Sequence, residues 1–434
     1  MTHFDLQFFA GNAAGSAVNY GGDGVAANAG TFNTVTGETV SGGDLTAEMK
    51  TFYDKALIQL VGPRLVHEQF GQKRPIPKNG GRSIEFRKFD NLDKATTAIT
   101  EGVTPAGNKL KVSTVTADLE QYGDYIEQTD LLEMTAIDNT VVEATKKLAD
   151  QAGRTMDTVV RDIINAGTCR QFCPDKDGNL PAAREEVAGD CLLTVKEVFK
   201  AAARLKKRNA PTVDGSYVGI IHPLVSFDLM QEAGDQWVDV MKYAKPENIL
   251  NGEIGKIGSV RFVETSEAKI FGAKEIGVVA SLGTGDNAGK ITLEENVPVA
   301  LTDNQILWIG PAEGNVGDFK KLVVNGAVST AAKVIATDGE GTTATADNCE
   351  AGYVVLDHLP VFSTLVLGAD AYGVTDIAGG GIEHIVKQRG YGNDPLNQRS
   401  SVGWKGLKTA AILVEQYMQR IESAASLATA EEAN

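Results

Sequence analysis

The side chains with the widest chemical use, cysteine and histidine, are few in this chain and far apart. Cys169 and Cys173 are separated by three residues, and Cys191 follows without the fourth paired ligand of an ordinary zinc site. His222 follows an apolar run, which favours a core histidine over a catalytic one. The cysteines are therefore predicted to be structural thiols. The other members of the two types form no His-Glu-x-x-His pattern or comparable cluster: His3, His67, His358, His384 and Cys349.

One glycine-rich segment comes near to a nucleotide-binding loop. Gly283 and Gly289 are separated by five residues, where a P-loop has four. Lys290 follows, but the next residue is Ile291 and not the Ser or Thr that a P-loop needs. With Gly285, the same glycines miss the dinucleotide-binding spacing by one residue. The segment is therefore predicted to be a turn between strands.

Two groups of acidic residues have a spacing that chemistry could use. Asp175 and Asp177 begin like a calcium-binding loop, but the later acidic ligand is missing, so a plain turn is predicted. Glu120, Asp124 and Glu127 are predicted to be a solvated strand face, since nothing in the sequence sets them opposite a substrate cleft. No serine stands in a G-x-S-x-G pattern. We therefore predict a chain that is not an enzyme, with no catalytic residue, no cofactor and no metal ligand.

The composition is that of a large, loop-rich, acidic chain. Its 434 residues exceed one ordinary domain, and its 47 glycines imply many turns. A formal net charge of −16 argues against binding nucleic acid through its phosphates, although an acidic wall can enclose DNA without trapping it. No apolar run approaches the roughly 18 residues that span a bilayer, and Asp5 stands where a secretory signal is basic or apolar. We expect a soluble, unexported protein without membrane contact.

The elements that must position any functional surface begin with a long hairpin. Residues 83–89 alternate apolar and charged side chains, and residues 110–116 alternate again, so two strands are predicted. Between them, residues 90–108 have no periodicity, and a loop of that length is uncommon in a compact domain unless it is functional or ordered elsewhere. The hairpin is therefore predicted to reach over a neighbouring subunit.

Two amphipathic helices flank that hairpin. The first covers residues 44–60 and is capped by Asp44. Thr140 and Glu143 form a capping box for the second, which is predicted over residues 140–167 and would be about 40 Å long. The outer face of the second helix is predicted to be charged and solvated: Lys146, Lys147, Asp150, Arg154, Asp157 and Arg161.

The second half of the chain mixes both kinds of element. A helix over residues 193–205 and a buried strand over 217–221 indicate an α/β or α+β domain. Residues 272–350 contain short β-type runs separated by Gly, Asp and Asn, and they are predicted to be an inserted β-rich module. A helical and apolar pattern resumes at Tyr353, and residues 410–421 are predicted to form a strand or a helix before a frayed acidic tail.

Several blocks of the sequence occur in the order of a known family. The longest are FGQKRPIPKNGGRSIEFRKF, LDKATTAITEGVTPAG, LEQYGDYIEQTDLLEMTAID and QAGRTMDTVVRDIINAGT, and GEIGKIGSVRFVETSEAKIF and DPLNQRSSVGWK follow. These blocks resemble the major capsid proteins of tailed bacteriophages, of the coliphage N4 coat type. The resemblance extends over residues 53–426.

The resemblance implies the Hong Kong 97 capsid fold, an α+β fold with an extended β-hairpin loop, a long spine helix and an axial domain. The β-rich insertion is longer than the family pattern needs, and residues 169–190 are interpreted as a local elaboration. The implied parts are an N-terminal arm (1–43), an N-terminal helix and linker (44–81), the extended loop (82–121), a peripheral domain with the spine helix (122–192), the axial domain (193–271 and 351–400), the β-rich insertion (272–350) and the C-terminal part of the peripheral domain with the tail (401–434).

The function that the resemblance implies is that of a structural protein, the major capsid protein of a tailed double-stranded DNA bacteriophage. It would self-assemble into hexamers and pentamers of an icosahedral head in the host bacterial cytoplasm, enclose DNA without sequence-specific binding, and reside in the virion capsid. A scaffolding protein, a portal and a decoration protein are expected partners. Alternatives are an encapsulin-like compartment shell, an enzyme with its site in residues 272–350, and an exported surface protein.

Overall fold

The protein is described from a computed structural model, and its residues divide into two compact units. The first unit comprises Met1–Gln69, Lys73–Val160 and Gly373–Leu413, and the second comprises Phe70–Gln72, Arg161–Tyr372 and Val414–Asn434. The predicted N-terminal arm and the helix predicted over 44–60 lie almost wholly outside the described residues. These are 31–32, 39–40, 65–75, 81–89, 94, 96, 98, 101–102, 107, 109–110, 112–131, 140–234, 237–239, 252–283, 289–337, 344–345, 349–376, 382–387 and 396–434.

Strands outnumber helices in these residues. The α-helices are α1 (Thr140–Asn165), α2 (Val195–Lys207) and α3 (Pro223–Ala233). The strands are, in chain order, β1 (Thr31–Phe32), β2 (Thr39–Val40), β3 (Gln72–Pro75), β4 (Ser83–Phe89), β5 (Val112–Asp118), β6 (Glu120–Thr129), β7 (Arg170–Phe172), β8 (Tyr217–Ile221), β9 (Val238–Asp239), β10 (Glu253–Ile257), β11 (Val260–Glu264), β12 (Ile270–Phe271), β13 (Glu275–Leu282), β14 (Lys290–Leu293), β15 (Ile306–Pro311), β16 (Lys320–Val323), β17 (Val334–Ala336), β18 (Tyr353–Leu356), β19 (Val361–Leu367), β20 (Tyr372–Asp376), β21 (Ile382–Lys387), β22 (Arg399–Lys408), β23 (Ala410–Ile412) and β24 (Met418–Ser423).

The first unit contains small sheets and most of helix α1. Strands β4 and β5 form a two-stranded antiparallel hairpin, paired from Ser83 with Asp118 to Phe89 with Val112. The hairpin predicted from the alternating residues is therefore confirmed, with its second strand two residues later than predicted. Strands β21, β22 and β6 form a three-stranded antiparallel sheet in that order, and β23, β20 and β3 form another.

Helix α1 is the long helix predicted from its capping box and apolar spacing. It has 26 residues, which gives about 39 Å at 1.5 Å per residue, and it ends two residues before the predicted end at Gly167. Leu148, Ala152 and Met156 repeat every four residues and are buried, so one side of the helix faces a core. In the first unit this side packs on Val402 and Trp404 of β22.

The charged face predicted for α1 is correct only in part. Lys146, Lys147 and Arg154 are exposed, but Asp157 and Arg161 are buried. Periodicity alone cannot separate a solvated charge from one that is paired inside a core, and both buried groups have partners within their own unit. The prediction of a solvated face is wrong at these two positions.

The second unit is built on a mixed sheet covered by two helices. Its strand order is β7-β24-β19-β8-β11-β10-β9, with β12 paired to β19. The pairs β8 with β11 and β7 with β24 are parallel. Buried side chains of α2 and α3, such as Val198 and Leu229, pack with Tyr217 and Phe262 of the sheet in one apolar core. The buried strand predicted over 217–221 and the preceding helix are confirmed.

The β-type runs predicted within residues 272–350 form a second sheet in the same unit. Its strand order is β16-β15-β18-β13-β14-β17. Val324, just after β16, pairs with Thr337, just after β17, so the two outer strands of the sheet meet and the sheet closes. We call this closed sheet the barrel. Its interior is apolar, with Val279, Leu293 and Ile335 among the fully buried residues.

The barrel shares a wall with the main core of the second unit. Along β15, Leu307 and Ile309 point into the barrel, whereas Trp308 belongs to the main core. The indole N–H of Trp308 donates to the carbonyl oxygen of Glu185 at 2.8 Å. Because alternate residues of one strand serve two cores, the barrel is an integral wall of the unit and not an appended lobe.

Two local predictions for the end of the chain are wrong. The helical pattern predicted from Tyr353 forms strands β18 and β19, because a buried central strand and a buried helix have similar apolar runs. The C-terminal tail is held in place, since the side-chain amide of Asn434 donates to Ala268 at 2.6 Å and accepts from the backbone N–H of Ile270 at 2.9 Å. Residues 410–421, predicted as a strand or a helix, contain β23 and part of β24.

The α+β class predicted from the sequence is confirmed by these mixed sheets and few helices. Among the described residues, no helix combines the length and the apolar character needed to cross a membrane.

Candidate assembly surface

The hairpin of β4 and β5 is anchored at its base. Ile84, Phe86 and Ala117 are buried, and they lie on the same face because their pairing partners alternate across the ladder. Phe86 packs directly on the backbone of Gly373 in β20, where an added Cβ would lie 2.4 Å from the ring. Only a residue without a side chain fits there, so this contact holds the base of the hairpin closely against the unit.

The other face of the hairpin is polar and exposed. Glu85 and Arg87 are exposed on β4, and the hydroxyl of Ser83 donates to Asp118 Oδ1 at 2.9 Å across the strands. The backbone pairing continues one step beyond the strands, since the N–H of Leu119 donates to the carbonyl of Arg82 at 2.8 Å. The hairpin thus packs one face against its unit. No described residue of the unit covers the other face.

A buried ion pair lies in the core of the first unit. Lys408 Nζ donates to Glu68 Oε2 at 2.6 Å and to the carbonyl of Thr375 at 2.9 Å. Burial lowers the pKa of the Lys408 ammonium, while the carboxylate of Glu68 acts in the opposite direction. The pair connects the segment before the hairpin to strands β20 and β22.

A second buried polar pair lies one residue away in the sequence. Asp157 of helix α1 accepts from the backbone N–H of His67 at 2.8 Å, and its other oxygen lies 2.6 Å from His67 Nδ1. Both side chains are fully buried. The two pairs together fix residues 67–68 against the helix and the strands, which positions the chain that leads into the hairpin.

The described residues at the far end of the hairpin are exposed to solvent. Leu110 is 61% exposed and Val112 is 49% exposed, although both are large apolar residues. Every described residue between the two strands is exposed: Lys94, Thr96, Ala98, Glu101, Gly102, Gly107, Lys109 and Leu110. The hairpin therefore presents apolar side chains at the end that its own unit does not bury.

Strand β6, which follows the hairpin, is the outer strand of its sheet. It has 10 residues, and among the described residues its only strand partner is β22. Tyr125 is 63% exposed, and Leu131 just beyond the strand is 68% exposed. A long outer strand with exposed apolar side chains is a template for pairing with another chain.

Five of the six large apolar side chains that are exposed in the described part of the first unit lie in residues 110–131: Leu110, Val112, Tyr125, Ile126 and Leu131.

The carboxylates predicted as a solvated strand face lie on this same strand. Glu120, Asp124 and Glu127 are all exposed, as predicted. Asp124 Oδ2 accepts from Gln151 Nε2 of helix α1 at 2.6 Å, and this hydrogen bond lowers the pKa of the Asp124 carboxyl. Burial, and after it the hydrogen bond to Glu120, raises the pKa of Tyr122 to about 12. Asp124 therefore braces β6 on helix α1, whereas Glu120 accepts from the hydroxyl of Tyr122 on its own strand.

The cysteines are thiols that lie apart from any ligand set. Cys173 and Cys191 are buried, and burial raises the pKa of Cys173 and raises that of Cys191 to about 11. Cys349 is buried in the barrel, and burial raises its pKa to about 11 as well. No group of three His, Cys, Asp or Glu side chains in the described ranges has a geometry that could hold a metal ion.

The remaining candidates for chemistry are structural in the described residues. His222 is buried and caps helix α3, since its Nδ1 accepts from the N–H of Leu224 at 3.3 Å. Asp175 accepts from the N–H of Asn179 at 2.7 Å in the predicted turn. Gly283 donates to the carbonyl of Lys290 at 2.8 Å between β13 and β14, as expected for a strand connection, while 284–288 lie outside the described residues.

The sequence gives no signal for the buried pairs of the first unit. His67 and Asp157 are 90 residues apart, and Glu68 and Lys408 are 340 residues apart. A charged residue in a mainly apolar segment, such as Lys408 in residues 407–413, could have raised the question of burial. It could not have identified the partner.

Comparisons with known proteins give structural similarity only. No model of a protein family matches the chain, and no curated protein matches it. It is similar to the capsid structure of the cyanophage P-SCSP1u, at 15% identity and a TM-score of 0.44, covering 83% of this chain and 89% of the other. It is similar to the capsid of the cyanophage Pam1, at 11% identity and a TM-score of 0.47, covering 85% and 92%.

A virus-like particle from Pyrococcus furiosus is also similar, at 9% identity and a TM-score of 0.39, covering 86% of this chain and 100% of that one. At such identities and TM-scores, this structural similarity carries no conclusion about what this chain encloses or assembles with.

Proposed function

We propose that the chain is a shell subunit, the major capsid protein of a tailed double-stranded DNA phage with the Hong Kong 97 type of fold. The observation that carries the proposal is the concentration of exposed apolar side chains on the hairpin and on the outer strand β6. In a monomer these apolar side chains would stay in contact with water, which is unfavourable. Copies of the chain that exchange hairpins would bury it.

The hairpin has the mechanical features that such an exchange needs. Its base is locked by Phe86 against Gly373, while Leu110 and Val112 near its far end are exposed. A rigid base fixes the direction of the hairpin, so its binding costs less conformational entropy than that of a free loop. We infer that the end of each hairpin covers a neighbouring copy in hexamers and pentamers of an icosahedral head.

The charge of the chain suits a container for DNA. With a formal net charge of −16, the chain as a whole would repel a packaged genome. The proposal includes a scaffolding protein and a portal as assembly partners, with a decoration protein as a further one. It places assembly in the host bacterial cytoplasm and the finished subunit in the virion.

Shortening the hairpin tests its role in assembly. Replacing residues 90–111 by Asn-Gly joins Phe89 to Val112 through a two-residue turn and keeps the anchored base. We expect a folded, soluble protein that forms no closed shells. Gel filtration, circular dichroism and negative-stain electron microscopy give the readouts, on protein produced together with the products of neighbouring genes.

A matched control shortens a hairpin in the barrel. Replacing residues 284–289 by Asn-Gly shortens the connection between β13 and β14 without touching the first unit. We expect this variant to form shells. Normal shells from the variant that lacks 90–111 would refute the role of the hairpin, and nuclease-resistant DNA in shells from infected cells separates a phage head from a compartment that encloses enzymes.

A further inference from the structure

Helix α2 carries a concentration of positive charge that is unusual for this acidic chain. The formal net charge is −16, yet six basic residues fall within residues 195–208. The helix contains a single acidic residue, Glu197, and this side chain is buried and paired with Lys200. The basic residues are Lys196, Lys200, Arg204, Lys206, Lys207 and Arg208.

The structure places most of these charges on one exposed face. Lys196, Lys200 and Arg204 follow one another at steps of four residues, which aligns them along one side of the helix. Lys206 and Lys207 extend the exposed surface into the last turn. The opposite side packs into the main core of the second unit through Val195, Glu197, Val198, Ala201, Ala202 and Leu205. We call the exposed side the basic face.

Arg204 and Arg208 are held near the C-terminal end of α2 by hydrogen bonds. Arg204 Nη1 donates to the side-chain oxygen of Gln171 at 2.7 Å, and Arg208 Nη1 donates to the carbonyl of Gln416 at 3.3 Å. The partner of Arg204 is neutral, so it orients the guanidinium group without cancelling its charge. Arg208 also interacts with an acidic group, since the pKa of Glu415 is lowered by the hydrogen bond from Thr168 and further by the charge of Arg208. In the part of the chain that the structure describes, Lys196, Lys206 and Lys207 have no ion pair.

Helix capping alone does not account for this pattern. Lysines in the last turn, such as Lys206 and Lys207, are favoured by the partial negative charge at the end of a helix. Lys196 lies in the first turn, where the same dipole disfavours a cation. A purely stabilising arrangement would place an acidic side chain at this exposed position, so the face as a whole indicates a partner with negative charge.

We propose that the basic face of α2 binds the phosphate backbone of double-stranded DNA without reading its sequence. The 13 residues of the helix extend about 20 Å, a length over which one strand of a duplex has about six phosphates. The exposed side of the helix offers the cationic side chains that contact phosphate oxygens, and Phe199 is the one large apolar side chain exposed among them. The inference rests on the proposed function in one respect, namely that a packaged genome supplies the DNA.

Fluorescence anisotropy with a labelled random-sequence duplex of 25 base pairs tests this contact. The purified full chain is compared with a variant that carries Lys196→Gln, Lys206→Gln and Lys207→Gln. The matched control carries Lys274→Gln, Lys320→Gln and Lys321→Gln, which remove the same charge from exposed positions in and beside the barrel. Because both variants change the net charge equally, only the position of the charge differs between them.

The salt dependence of the affinity is the decisive readout. Each phosphate contact contributes a slope of about −0.9 in log K against log salt, so three contacts correspond to a loss of about 40-fold between 50 and 200 mM salt. We expect the α2 variant to lose this part of the dependence and to bind more weakly at 50 mM. We expect the control to match the unmodified chain.

Equal binding by the two variants would overturn the proposal. So would an effect on self-association alone, measured by sedimentation, because it would identify an acidic surface of a second copy as the partner of the basic face. Electron microscopy of the same samples separates this result from the shell proposal. If the α2 variant forms shells and binds the duplex more weakly, the shell proposal and the DNA contact are both supported. If the unmodified chain forms no shells but its duplex binding depends on α2, the DNA contact is supported and the shell proposal is not.

Discussion

The hairpin with strand β6 in the first unit and the barrel in the second differ in how they bury the apolar side chains of their strands. Both consist of antiparallel strands with alternating apolar residues. In the barrel the outer strands meet at Val324 and Thr337, and the apolar side chains fill a closed interior. In the first unit β6 remains an outer strand, and Tyr125 and Ile126 are exposed.

The difference shows which region is complete within one copy. In the described residues of the barrel the two outer strands pair with each other, and the apolar core includes Cys349. The hairpin is buried in its own unit at the base, through Phe86, and the buried pair of Lys408 and Glu68 lies in the same unit. An incomplete surface on an anchored support is the design expected of a subunit that neighbouring copies complete.

The largest effect is expected from breaking the buried ion pair. Lys408→Ala leaves the carboxylate of Glu68 buried without its cation, and we expect a loss of about 3–5 kcal/mol in the free energy of unfolding. Replacing the pair together, with Lys408→Met and Glu68→Leu, should recover most of this loss. Urea unfolding measures both, and a cost below about 1 kcal/mol for the single change would contradict the buried pair.

Acid should weaken the second unit through His222. Burial lowers its pKa from 6.5 to about 4, so the unfolded chain takes up the proton first as the pH falls. The stability present above pH 6.5 is therefore lost progressively toward pH 4, by an amount of the order of 3 kcal/mol. His222→Asn keeps an acceptor for the N–H of Leu224 and does not titrate.

We expect the unfolding free energies of the unmodified chain and of His222→Asn to diverge between pH 7 and pH 4.5, with the variant less sensitive to acid. Parallel curves over this range would show that His222 is already accessible to protons in the folded protein.

A smaller loss is expected from disturbing the base of the hairpin. Gly373→Ala would place a methyl group 2.4 Å from the ring of Phe86, and such overpacking costs about 1–3 kcal/mol. Gly107→Ala is the matched control, because nothing lies within 4 Å of its added Cβ. If thermal unfolding shows the same stability for both variants, the base of the hairpin is not held by this contact.

The smallest effect on stability should accompany the largest effect on assembly. Tyr125→Ser with Ile126→Thr removes exposed apolar surface from β6, and we expect a change within about 0.5 kcal/mol in the free energy of unfolding. The same protein should fail to form shells. Val299→Ser with Val334→Thr is the control on exposed positions of the second unit and should form shells. Particle counts from electron micrographs decide between the two.

Local sequence patterns predicted the helices and strands better than they predicted which strands pair. The strands Ser83–Phe89 and Tyr217–Ile221 and the helix Thr140–Asn165 agree with the periodicity of their residues, because alternation and helical spacing are local properties. The closing of the barrel between Val324 and Thr337 depends on how the strands of the sheet are ordered, and no local pattern encodes that order.

The candidate surface was predictable only in outline. The hairpin could be predicted from the alternation in residues 83–89 and 110–116, and Glu120, Asp124 and Glu127 were predicted to be a solvated strand face. Which side of the hairpin is buried depends on Gly373, nearly 300 residues later, and is a tertiary property. Asp157 was misassigned for the same reason, since its partner His67 comes from a distant segment.

The central claim is that copies of this chain close into shells, and electron microscopy of the unmodified protein tests it most directly. The chain would be purified by gel filtration after expression alone and after expression with the products of neighbouring genes, and then imaged in negative stain. We predict closed angular shells in at least the second preparation. A stable monomer in both preparations would contradict the claim.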